Sequence, residues 1–130
     1  MIEANPERGE DDLVLAGVSY RMRPSHEAIR AIEKKTGFSL LELVRLGNAS
    51  ALSTDHVGVV AAEFIRAGAE TESMRAVHPE RIADLAYEEG VVRVTAALTI
   101  LLADAARGGR TAAGERKAAA ARTTEIAGAA

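Results

Sequence analysis

The stretch SYRMRPSHEAIRAIEKKTG, Ser19 to Gly37, decides how this chain is read. Tyr20 and Met22 alternate with Ser19, Arg21 and Arg23, the period-two pattern of a strand with one buried face. Pro24 lacks an N–H and ends strand pairing, and Ser25 is a good N-cap, so a helix is expected from His26 to about Thr36. Ala28, Ile29 and Ile32 fall on one face of that helix, while Arg30, Glu33 and Lys34 fall on the other. Gly37 supplies the left-handed residue that closes it. The corner holds no Gly-rich phosphate loop, cysteine or catalytic pairing, so its purpose is structural.

Immediately upstream, Leu13 and Leu15 give a preceding strand its own apolar face. Gly17 separates it from the second strand, where Val18 joins Tyr20 and Met22, and a tight hairpin needs a residue there that tolerates positive φ. A two-stranded ribbon is not stable alone. Tyr20 and Met22 are therefore expected to lie against Ile29 and Ile32.

Downstream, Ser39 and Glu42 in "SLLE" read as a capping box, with Phe38 placed to staple against Leu43 and Gly47 as the terminator. Ser53 caps the next helix, with Asp55 in its first turn, Val57, Val60, Ala61, Phe64 and Ile65 along one face, and Gly68 at its end. "AETESMRAVH" reads as a polar connector. Pro79 opens a helix through Glu89 with Ile82, Leu85 and Ala86 inward, and Gly90 bends the chain. A last helix from Val91 to about Arg107 presents Val91, Val94, Leu98, Leu101, Leu102 and Ala105 along one side. Its β-branched residues are weak helix formers, so packing must hold it.

The expected fold is mostly α with a small N-terminal β-hairpin, an α+β arrangement in which the hairpin packs on about five short helices. Residues 1–10 read as a flexible arm and 11–107 as one domain. Residues 108–130, reduced largely to Ala, Gly, Thr, Arg and Glu, read as a low-complexity disordered tail. At 130 residues the chain supports one core. With only Tyr20, Phe38, Phe64 and Tyr87 as aromatics, that core must be aliphatic.

Composition narrows the chemistry. There is no cysteine, which removes disulfides, thiolate zinc sites and a cysteine nucleophile. The acidic opening, MIEANPERGEDD, lacks the basic and apolar regions of a secretory signal, so the expected location is the cytoplasm. The apolar run Val94 to Ala103 is too short to span a membrane. Of the net charge of −3, residues 110–130 carry +2 and the rest −5, and an acidic body argues against a nucleic-acid surface.

His26, His56 and His78 each sit near an expected helix start without metal-ligand spacing. The pairs Asp11–Asp12 and Glu88–Glu89 are adjacent, so their side chains diverge. Ser25, Ser39 and Ser53 read as caps, and no GxSxG elbow, GxGxxG or P-loop is present. No catalytic, metal or cofactor residue is assigned, no cofactor is implied, and the protein is expected not to be an enzyme. Two features remain as candidate partner contacts. Arg21 and Arg23 share one face of the ribbon, where they either meet an acidic partner or protect an edge. Val91, Val94, Leu98 and Leu101 form either ordinary core or a face that grips another helix.

The segment RGEDDLVLAGVSYRMRPSHEAIRAIEKKTGFSLLELV resembles the start of gene-transfer-agent tail proteins grouped with phage tail assembly chaperones. The resemblance runs through Arg8-Gly9-Glu10, the turn at Gly17, Tyr20 and Arg23, Ile32-Glu33 and Thr36-Gly37, then the Leu-rich helix. It continues more loosely through STDHVGVVAAEFIRAG and the closing Ala/Leu helix, covering about residues 8 to 105. It implies a non-enzymatic chaperone of a prophage or gene transfer agent that binds the tape measure protein and the major tail tube protein during tail assembly. A tail subunit retained in the particle, and a small helical regulator binding nucleic acid through its basic tail, are the alternatives. Self-association is compatible with each.

Overall fold

The computed structural model describes residues 11–117. The expected N-terminal arm, 1–10, and the expected tail beyond 117 lie outside the described residues.

Strand β1 (Asp11–Leu15) pairs antiparallel with β2 (Val18–Met22), in the register that sets Leu13 opposite Tyr20 and Leu15 opposite Val18. Ala16 and Gly17 form the two-residue turn, with φ of 51° and 78°. Positive φ at both central positions matches the right-handed twist of the flanking strands. Leu13, Leu15 and Met22 are buried, and Val18, expected inward, remains exposed beside the turn.

Six helices follow among the described residues: α1 (His26–Thr36), α2 (Leu40–Asn48), α3 (Thr54–Gly68), α4 (Glu72–Arg75), α5 (Pro79–Glu89) and α6 (Val91–Ala106). The caps are those the sequence specifies. Ser25, Ser39 and Ser53 each accept from the backbone N–H three residues on, Ala28, Glu42 and His56, at 3.1 Å. Gly37 closes α1 at φ 78°, its N–H donating to Glu33 O. The mostly helical fold with an N-terminal hairpin is as expected.

Helix α3 is the hub. Val57, Val60, Ala61, Ala62, Phe64 and Ile65 are all inaccessible, because the hairpin, α1, α5 and α6 surround them. A helix so enclosed must be apolar on most of its circumference. Its closest neighbour is α5, and Gly58 makes the approach: a Cβ there would come within 2.5 Å of Pro79 O and 2.7 Å of Ala83 Cβ.

Further expectations are corrected. The ribbon packs chiefly on α3 rather than on Ile29 and Ile32 of α1; Arg23 N donates to Phe64 O at 3.0 Å, and Gly68 leaves room for Arg21 O. Gly47 does not terminate α2 but lies buried within it, where Thr99 of α6 occupies the space a side chain would need. The capping box is half formed, since the Glu42 carboxylate turns to Arg45 and leaves the Ser39 N–H. The connector 69–78 contains the one-turn α4, capped by Thr71.

The expectation of disorder from residue 108 fails for 108–117, which folds back as a strap. Arg110 bridges to Arg116, Lys117 N donates to Gly109 O at 3.0 Å, and His26 N donates to Ala112 O at 2.8 Å. Arg110 anchors it, with a side chain only 3% exposed, paired to Asp104 and, at 3.6 Å, to Asp11. The strap has no large apolar side chain, and these backbone hydrogen bonds and the Arg110 ion pairs are what join it to the domain.

Candidate protein-interaction surface

Of the contact residues expected from the sequence, three are buried and three half-buried. Val94, Leu98 and Leu101 are buried in the core and Val91 is half-buried, so this side of α6 is ordinary packing. Arg21 is half-buried, with a side chain 12% exposed and ion-paired to Glu70 at 2.5 Å. Arg23 is also half-buried, and Gly114 of the strap presses on its stem, where a Cβ would meet Arg23 Cγ at 2.6 Å. The expected basic face of the ribbon is thus covered by the α3–α4 connection and by the strap.

The histidines do not converge. His26 is exposed at the start of α1, His78 occupies the N-cap of α5 without a side-chain bond, and His56 meets Phe38 edge-on at 5.3 Å. Among the described residues no three His, Cys, Asp or Glu side chains are grouped to hold a metal. No helix among them is long and apolar enough to cross a membrane.

Carboxylates are spent on ion pairs. Buried Glu63 receives Lys35 at 2.5 Å and Arg66 at 2.6 Å, tying α1 to α3, while Arg66 also donates to Val77 O. Glu89 accepts from Ala16 N at 2.7 Å, fastening the hairpin turn to the end of α5. On the surface of α2, the hydrogen bond from Arg45 holds the Glu42 carboxyl below the ordinary glutamate range, and the same contact raises Arg45. These are structural contacts.

What α6 turns outward is more distinctive. Val92 is 75% exposed and Ile100 66% exposed, with Ala96 exposed between them and Ala103 half-buried beyond. Positions 92, 96, 100 and 103 recur at helical spacing and form one stripe. Gly47 and Asn48 of α2 flank it, with Thr99 at the floor, its hydroxyl donating to Thr95 O at 2.7 Å. No charged residue interrupts α6 between Arg93 and Asp104, so the helix is apolar on its outward as well as its inward side. Helices α1 and α5 differ, presenting Arg30, Lys34 and Lys35, and Glu80, Arg81, Asp84 and Glu88 to solvent. The signal was legible as an uncharged ten-residue run, but a run alone does not tell which of its faces the core takes.

No family model, curated protein or solved structure matches this chain. The arrangement defines a small hairpin-plus-helices protein that leaves an apolar stripe of α6 exposed.

Proposed function

We propose that this protein is a tail assembly chaperone of a prophage or gene transfer agent, binding the tape measure and tail tube proteins while a siphovirus-type tail is built. One observation carries the reading. The segment through which the chain resembles such chaperones, Arg8 to Val44, supplies as its described part the hairpin, the Pro24–Ser25 corner, α1 and the first half of α2. The hairpin also keeps Val14 and Val18 exposed, on opposite faces of the ribbon since Val18 stands opposite Leu15 and Val14 opposite Ser19, and we assign the heterologous partner to the turn end where both are reached. An apolar surface on a small acidic body suits transient shielding of a partner's hydrophobic segments.

A regulator binding nucleic acid through its basic tail would use Arg110, Arg116, Lys117 and Arg122, of which Arg122 lies outside the described residues. Arg110 is buried in its cluster and Arg116 pairs with Asp11 at 3.7 Å.

Co-expression with the tape measure and tail tube proteins, followed by pull-down, tests the proposal. Co-purification with either is expected, weakened in a Val14→Asp/Val18→Asp variant, and absence of binding while all three are soluble would refute it. Mass spectrometry of finished particles separates a chaperone, which leaves, from a retained subunit.

A further inference from the structure

The outward stripe of α6 lacks the charges that a water-facing helix carries, and a helix apolar all round is normally covered on every side. We propose that a second copy of this chain covers it, forming a two-fold dimer in which the α6 helices run antiparallel.

The residues themselves select this occupant. Along the stripe, large and small side chains are placed so that an antiparallel copy fits: with the two-fold axis near Leu98, Ile100 seats on Ala96 of the second copy, and Val92 seats on Ala103. By symmetry each contact occurs twice, as a self-complementary interface requires. Moving the axis toward Ala96 would oppose Ile100 to Val92 and leave facing alanines as a void, and moving it toward Ala103 would carry Val92 past the end of the helix. The chosen register also joins opposite charges. Exposed Arg107, at the C-terminal end of α6, comes to the end of the second copy's helix where exposed Glu88 leads in through Glu89 and Gly90. Small residues at Ala96, Ala103 and Gly47 permit close approach, and α2 flanks the contact through Asn48. The dimer rests on the α6 stripe and its register, not on the tail-assembly reading.

Light scattering on the full chain across a micromolar concentration series tests association, and disulfide trapping tests the register, because the chain has no cysteine of its own. The dimer is expected, with I100E weakening association about tenfold or more while leaving the helical circular dichroism unchanged. When A96C and I100C chains are mixed and oxidised, the mixed disulfide should exceed either homodisulfide. A monomer throughout the series, a dimer indifferent to I100E, or preferential homodisulfides would each overturn the proposal. So would a monomer whose Ile100 is instead needed to capture the tape measure protein, which would assign the stripe to that partner.

Discussion

Gly47 of α2 lies directly against Thr99 of α6, so close that a Cβ at position 47 would come within 3.0 Å of Thr99 Cγ2 and closer still to its hydroxyl. This contact sets how near the two helices run, and with it the shape of the surface beside Val92 and Ile100.

Gly47→Ala therefore sets two effects against each other. An alanine in a helix interior gains about 1 kcal/mol over glycine. Overpacking a tight contact costs about 1–3 kcal/mol. The overlap with Thr99 is severe, so net destabilisation is expected in urea unfolding. Thr99→Ala in the same chain should recover part of it, with a coupling energy of about 1 kcal/mol or more between the two sites.

Arg110 makes the strap part of the domain. Its removal in Arg110→Ala leaves Asp104, whose side chain is 18% exposed, without its buried partner. Breaking a buried pair from one side costs about 3–5 kcal/mol, and the residual exposure of Asp104 places this case nearer 2–3 kcal/mol. Denaturant unfolding would measure the loss, and faster amide exchange at Lys117 and His26 would show the strap released.

The three serine caps should each be worth about 1 kcal/mol, read as the stability lost on Ser25→Ala, Ser39→Ala and Ser53→Ala. Substitution by glycine should cost only a few tenths of that. A Ser→Ala loss close to zero at any of them would mean that its hydroxyl does not contribute to capping.

Glu42 and Arg45 offer a clean titration. The Arg45 hydrogen bond depresses the Glu42 carboxyl in the folded protein. The pair's contribution is thus present at neutral pH and is lost as pH falls from the unfolded glutamate value through the lower folded one. Arg45→Ala should return Glu42 to the ordinary glutamate range by NMR titration. Because the pair is exposed, global stability should barely change.

Local chemistry was the part written plainly in the chain. The hairpin turn at Gly17, the caps at Ser25, Ser39 and Ser53, the stop at Gly37 and the inward faces of α1, α3 and α5 all depend on residues within a turn or two of one another, so their spacing carries the answer. The surfaces were less legible. Arg21 and Arg23 look solvent-facing in a strand pattern, but their cover comes from residues 70 and 114, remote in sequence. Val92 and Ile100 carry no local signal of exposure, because an apolar run does not announce which side the core will take.

The sequence by itself determined where the described elements start and stop, apart from α4 and the end of α2, because capping and periodicity act within a few residues. Only the tertiary structure decided that Gly47 serves a helix contact, that the ribbon rests on α3, that Arg110 holds the strap, and that one stripe of α6 stays outside. Each of these depends on which elements cross and how closely, a property of the packed chain with no signature in any short stretch of it.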